Sequence, residues 1–88
     1  MAEYEIRFRA EARAFFASRR VDARIKRIVL VKIRILARSP DLGKPLAGEL
    51  TGYRRLAVSY YRIIYHVDGA RLVVDIIQIG LRRDVYGN

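Results

Sequence analysis

The stretch that decides the fold is YRRLAVSYYRIIYHVDGARLVVDIIQI, residues 53–79. It consists of runs rich in β-branched and aromatic residues, which are typical of strands. The expected strands cover residues 53–58, 61–67 and 71–79. Asp68-Gly69 predicts a hairpin turn between the last two strands, because both residues tolerate a positive φ. The C-terminal half is therefore expected to be β.

The residues before this stretch predict one strand and two helices. Glu3–Phe8 alternates polar and apolar residues, as a half-buried strand does. Ala10–Ser18 is rich in helix formers, and Asp22 is a good N-cap for a second helix that runs to about Arg38. The buried face of this helix is expected to comprise Ile25, Ile28, Val29 and Leu36. Residues 29–35 also alternate with period two, so a strand competes there, but length and the cap favour the helix.

The element order β-α-α-β-β-β predicts an α+β fold, a small antiparallel-rich sheet with two N-terminal helices packed on one face. With 88 residues, we expect one domain over residues 1–88. The chain has no cysteine, which excludes disulfides and thiolate metal sites, and its one histidine, His66, is expected at an exposed or edge-strand position. We expect no metal and no cofactor. The sequence lacks a secretory signal and a membrane-spanning apolar run, so a cytoplasmic location is expected.

Charge is the strongest functional signal. Lys+Arg number 18 against 9 Asp+Glu, a net charge of +9, and 15 of the basic residues are arginine. Residues 7–38 alone carry a net +9. Arginine offers a planar, permanently charged fork suited to phosphate, so RNA, DNA or an acidic protein segment is the natural partner. The alternative is an arginine-rich composition whose charges are simply solvated.

Arginine and tyrosine side chains recur on neighbouring elements of the C-terminal half. The set comprises Arg54, Arg55, Tyr60, Tyr61, Arg62, Arg82, Arg83 and Tyr86. Alternation assigns Tyr61 and Tyr65 to the core face and Arg62 to the other. An arginine in so apolar a strand either lines a wet concavity or pairs with Asp75 on the next strand, and both interpretations stay open. Metal-free RNA cleavage needs a stabilised pentavalent phosphate, which arginines provide, and tyrosine can stack on a base.

Three motifs resemble the RelE/ParE superfamily of toxin–antitoxin toxins, most closely the RelE branch. They are LAGELTGY (46–53), RLAVSYYRIIYHVD (55–68) and IGLRRDVY (79–86), with a weaker likeness in EYEIRFRAEARAFF (3–16). The resemblance implies a microbial RNase-like fold and ribosome-dependent cleavage of A-site mRNA by 2′-hydroxyl attack. It implies phosphate-stabilising roles for Arg62 and Arg82 and a nucleotide-stacking role for Tyr86. Arg54 and Arg55 match basic residues that contact the RNA backbone.

The same resemblance implies partners. An antitoxin with an acidic or amphipathic segment would cover the toxin in a heterodimer or heterotetramer, and the ribosome would be the target. Arg24, Arg27 and Arg34 are then candidates for ribosome docking, while Tyr60 and Arg83 are candidates for RNA contact. The family's second basic core position is Ala57 here, and its closing histidine is Leu81. A gyrase-inhibiting toxin of the ParE branch and a non-catalytic binding module therefore stay open as alternatives.

Overall fold

The computed structural model describes residues 3–82, in which two helices pack on one face of a five-stranded mixed sheet. In chain order the elements are β1 (Glu5–Phe8), α1 (Ala10–Ala17), α2 (Ala23–Leu36), β2 (Lys44–Pro45), a 3₁₀ helix (Gly48–Leu50), β3 (Tyr53–Val58), β4 (Tyr61–Asp68) and β5 (Val73–Leu81). The strand order is β1-β5-β4-β3-β2, antiparallel except for the parallel β1–β5 pair. The predicted α+β fold is confirmed, with β2 as an additional edge strand.

Helix α2 begins where its N-cap predicts. The Asp22 carboxylate accepts a hydrogen bond from the backbone N–H of Arg24 at 2.8 Å, which satisfies one of the free donors of the first turn. The helix buries Val29, Ile33 and Leu36, so the competing strand over residues 29–35 is wrong. The prediction that Ile28 is buried is also wrong, since its side chain is 41% exposed. Ile28 lies about 100° round the helix from Val29, away from the stripe at i and i+4 spacing.

The core lies between the helices and the central strands. Ile63 and Tyr65 of β4 are fully buried there, beside Ile76 and Ile79 of β5. Tyr61 is half-buried against the same cluster. The alternation of β4 is thus the one predicted, and its other face, which carries Arg62, points away from the helices.

The two hairpins turn in different ways. The predicted hairpin between β4 and β5 is confirmed, but Asp68 pairs with Val73, so its loop has four residues, and the residue with positive φ is Leu72 rather than Asp68 or Gly69. The Asp68 carboxylate accepts hydrogen bonds from the N–H groups of Ala70 and Arg71, both at 3.1 Å, which favours a longer loop. The β3–β4 connection, by contrast, has only two residues, the first of which is Ser59 with a φ of 57°.

The helices are short. The longer of the two, α2, has 14 residues, and no helix within residues 3–82 is both long and apolar enough to cross a membrane.

Candidate nucleic-acid interface

A groove of about 290 Å³ lies near the β2 edge of the sheet, and four cationic residues line it. The cations are Lys44 on β2, Arg55 on β3, Arg62 on β4 and Arg82 just after β5. Strand alternation places Arg55 and Arg62 on the sheet face away from the helices, since their neighbours Leu56 and Ile63 contact the core. Four different segments of the chain therefore each contribute one cation to the groove.

Strand register brings these residues together. Arg62 is opposite Ala57 on one side and Gly80 on the other, so its two nearest cross-strand neighbours are small. The backbone N–H of Arg82 donates to the carbonyl of Tyr60 at 2.9 Å, which ties the end of β5 to the β3–β4 turn. Arg62 and Arg82 consequently lie at the same end of the hairpin and share one groove.

The described residues that line the groove make it electropositive. None of the described residues that line it is acidic. The ion pairs Arg7–Glu5, Arg9–Asp75 and Arg38–Glu3 involve none of the described residues that line the groove. Several guanidinium groups around one concavity favour an anionic occupant, and a phosphate accepts their forked hydrogen bonds.

The alternative pairing of Arg62 with Asp75 is wrong. Asp75 is opposite His66, four residues from Arg62 along β4, a separation of roughly 13 Å. The carboxylate of Asp75 instead lies 3.8 Å from the guanidinium of Arg9. Of the two interpretations of Arg62, the structure supports the one in which it lines a concavity.

Arg54 lies on the opposite face of β3 from Arg55, outside the groove. Its guanidinium donates to the carbonyl of Gly43 at 2.7 Å and to that of Asp41 at 3.3 Å. Arg54 therefore holds the loop before β2, a role that alternation along β3 alone did not suggest.

The other candidate residues fall into three groups. Tyr60 lies in the β3–β4 turn beside Arg82, with 77% of its surface exposed. Arg24, Arg27 and Arg34 are exposed on α2, away from the groove. Arg83 and Tyr86 lie outside the described residues, so their predicted roles stay predictions.

His66 is not at an edge or fully exposed. It lies half-buried on the central strand β4, with its ring centroid 5.3 Å from that of Tyr53. It lies four positions from Arg62 along β4, roughly 13 Å, which is too far for the two side chains to act on one phosphate. In the described part of the chain, no group of three or more His, Cys, Asp or Glu residues is arranged to hold a metal ion.

Lys44 is the functional candidate that sequence reasoning missed. It lies in a stretch with Pro40, Gly43 and Pro45, whose composition predicts a loop and assigns no face to its side chains. Only the pairing of β2 with β3, which sets Lys44 opposite Arg55, brings it to the groove.

Comparisons with known proteins agree with this fold. The family model described as "ParE toxin of type II toxin-antitoxin system, parDE" matches residues 6–86. The toxin–antitoxin complex RelBE2 from Mycobacterium tuberculosis contains a chain with 30% identity and a TM-score of 0.78, over 92% of this chain and 100% of that one. No curated protein matches the sequence.

Two further solved structures show the same fold at lower identity. The YoeB/ParE toxin from Agrobacterium tumefaciens has 24% identity and a TM-score of 0.75, over 89% of this chain and 98% of that one. The intact RelBE complex from E. coli contains a chain with 19% identity and a TM-score of 0.74, over 89% and 95% of the two chains. The family match spans nearly all of the sequence, and the chain belongs to the ParE toxin family of type II toxin–antitoxin systems, within the RelE/ParE superfamily.

Proposed function

We propose that this toxin is a ribosome-dependent endoribonuclease that cuts mRNA in the ribosomal A site. The observation that carries the proposal is the convergence of Arg55, Arg62 and Arg82 on one groove that contains no acidic residue among those described. A site of this kind fits a phosphodiester, and the guanidinium groups supply positive charge without a cofactor.

The reaction is a transesterification. The 2′-oxygen bonds to the adjacent phosphorus, its proton passes to a base, and the bond from phosphorus to the 5′-oxygen breaks as that oxygen receives a proton. The products are a 2′,3′-cyclic phosphate and a 5′-hydroxyl end. Arg62 and Arg82 donate hydrogen bonds to the non-bridging oxygens, whose negative charge grows in the transition state. Tyr60 and Tyr86 are proposed to stack on the bases that flank the cut.

The proposal includes an antitoxin. The Mycobacterium tuberculosis relative was solved as a toxin–antitoxin complex, and a chain with a net charge of +9 favours an acidic partner. We propose that an acidic or amphipathic antitoxin segment covers the basic surface of this toxin, in a heterodimer or heterotetramer.

Inhibition of DNA gyrase is the second candidate function, because the matching family model is that of ParE toxins. Ala57 lines the groove at a position where the RelE branch has a basic residue. One fewer cation at the phosphate site is compatible with a toxin that does not cut RNA.

The test is cleavage of a defined mRNA on purified ribosomes, with the new 5′ ends mapped. The wild-type toxin should cut within the A-site codon. Arg62→Ala and Arg82→Ala should each lower the cleavage rate by about 10²–10³-fold, the usual effect of removing one donor that stabilises a transition-state oxyanion. Arg71→Ala is the matched control, because Arg71 lies in the exposed β4–β5 loop at the opposite end of the hairpin. Intact mRNA together with inhibited supercoiling would select gyrase instead.

A further inference from the structure

We propose that Lys44 binds the RNA backbone phosphate next to the scissile one, and that Tyr65 positions Lys44 from the other side of the sheet. The inference rests on the proposed nuclease function and names a second phosphate subsite in the same groove.

The register of β2 fixes the direction of the Lys44 side chain. Lys44 is opposite Arg55, and Pro45 is opposite Arg54. Lys44 and Arg55 line the cationic groove, whereas Pro45 and Arg54 line a different concavity. A slip of one residue in this pairing would exchange the two faces and remove Lys44 from the groove.

Two core-side residues hold that register. The hydroxyl of Tyr65 donates to the carbonyl of Pro40 and accepts from the N–H of Gly43, both at 2.8 Å. Arg54 donates to the carbonyl of Gly43 at 2.7 Å. Gly43 thus has both its backbone polar groups bound immediately before Lys44, and β2 is held although it is only two residues long.

The approach at Gly43 leaves no room for a side chain. A Cβ built there would lie 2.6 Å from the carbonyl oxygen of Arg55 and 2.7 Å from the hydroxyl of Tyr65. The loop therefore packs directly on the sheet, which fixes the position of Lys44 relative to Arg55.

Like charges on directly opposed residues destabilise a sheet. Lys44 and Arg55 are such a pair, and no described lining residue of the groove is acidic. A phosphate between them would turn this repulsion into two attractive contacts. The compact lysine ammonium and the forked guanidinium are both well suited to phosphate oxygens.

The distance across the sheet separates this subsite from the scissile phosphate. β2 and β4 are two strands apart, and strands lie about 4.8 Å apart. Lys44 is level with Ile64, two residues along β4 from Arg62, so the backbones at Lys44 and Arg62 are separated by roughly 12 Å. Arg62 and Arg82 would hold the scissile phosphate, and Lys44 with Arg55 would hold its neighbour.

The probe is a short 2′-O-methyl RNA, which cannot be cut because the attacking hydroxyl is blocked. Its affinity is measured over a series of salt concentrations for the wild-type toxin, Lys44→Ala and Lys32→Ala. Lys32 is exposed on α2 and serves as the matched lysine control. Loss of one phosphate contact should weaken binding and reduce the slope of log affinity against log salt by about 0.7 for Lys44→Ala only. The melting temperature of Lys44→Ala should be equal to or above that of the wild type, because a like-charge pair is removed.

The role of Tyr65 is tested with Tyr65→Phe and with the double variant Tyr65→Phe/Lys44→Ala. Their RNA affinity is measured over the same salt series, well below their melting temperatures. Tyr65→Phe should also reduce the salt slope, and adding Lys44→Ala should change it little further, because both substitutions disable one contact. A wild-type slope in Lys44→Ala would overturn the subsite, and fully additive losses would overturn the positioning role. These readouts do not depend on cleavage, so a toxin that binds the probe but leaves ribosomal mRNA intact refutes the proposed function separately.

Discussion

At the scale of single residues, Tyr65 joins the core to the candidate site. Its ring is fully buried among the core residues. Its hydroxyl accepts a hydrogen bond from the N–H of Gly43 and donates one to the carbonyl of Pro40, both in the loop before β2. Burial raises the pKa of the phenol, and this outweighs the opposing effects of the Gly43 hydrogen bond and the Arg54 charge. Because the folded state favours the neutral phenol, the free energy of unfolding should depend on pH in the alkaline range.

The raised pKa of Tyr65 predicts the sign of that dependence. The folded state holds the phenol proton more tightly than the unfolded chain, so its contribution is complete below pH ~10 and is lost as pH rises through the folded-state pKa. Urea unfolding from pH 7 to 11 should show a steeper alkaline decline for wild type than for Tyr65→Phe. At pH 7 the substitution should cost about 1–3 kcal/mol, because it leaves the buried N–H of Gly43 without its partner. Parallel pH profiles would contradict this assignment.

Gly43 gives a second prediction at this scale. In Gly43→Ala the new methyl group would overlap the carbonyl of Arg55 and the ring of Tyr65, so we expect a loss of about 1–3 kcal/mol in the free energy of unfolding. The shift of β2 should also weaken RNA binding by moving Lys44. Gly48→Ala is the control for RNA affinity, because Gly48 has open space round it and an alanine there would be strained only by the φ of 66°. Normal RNA affinity in Gly43→Ala would show that the loop adjusts without moving Lys44.

At the scale of elements, local patterns were reliable where one face of a strand or helix is buried. The N-cap at Asp22 and the alternation of β4 both placed their elements correctly. Asp68-Gly69 correctly marked the β4–β5 hairpin, but the loop is longer than a tight turn because the Asp68 side chain accepts hydrogen bonds from the N–H groups of Ala70 and Arg71. Strand β2 could not be predicted, since two residues carry no period and its pairing depends on contacts with Tyr65 and Arg54, which are distant in sequence.

Helix α2 carries a prediction about docking. Arg24, Arg27 and Arg34 are exposed on this helix, away from the cationic groove. If they dock the toxin on ribosomal RNA, reversing all three to glutamate should weaken ribosome binding by at least 10²-fold, as expected when three phosphate contacts become repulsive. Affinity for the short 2′-O-methyl RNA should change far less, because that probe occupies the groove. Arg71→Glu controls for a charge reversal elsewhere, and unaltered ribosome binding in the triple variant would refute the docking role.

At the scale of the whole molecule, the candidate site is a property of topology. Sequence alternation correctly assigned Arg62 to the face away from the core, but it could not choose between a concavity and an ion pair with Asp75. That choice depends on the β4–β5 register, which places Asp75 opposite His66. Alternation also places Arg54 and Arg55 on opposite faces of β3, but it does not say which of the two faces a site. The structure supplies that difference, because Arg54 donates to the carbonyl of Gly43 and Arg55 lines the groove. The resemblance to known toxins indicated Arg62 and Arg82, and the fold added Lys44.

The net charge of +9 makes a final prediction about the intact toxin. If the three α2 arginines and the four groove cations all contact phosphates, ribosome affinity should fall by about 10³-fold between 50 and 200 mM salt. The slope of log affinity against log salt should be steeper for the wild type than for the α2 triple variant or for Lys44→Ala. Combining the substitutions should reduce this slope further, since the two surfaces are separate. Equilibrium binding to purified ribosomes across this salt range provides the measurement. A slope near zero would mean that the excess arginines are simply solvated. This result would refute both the docking role of the α2 arginines and the phosphate contacts proposed for the groove.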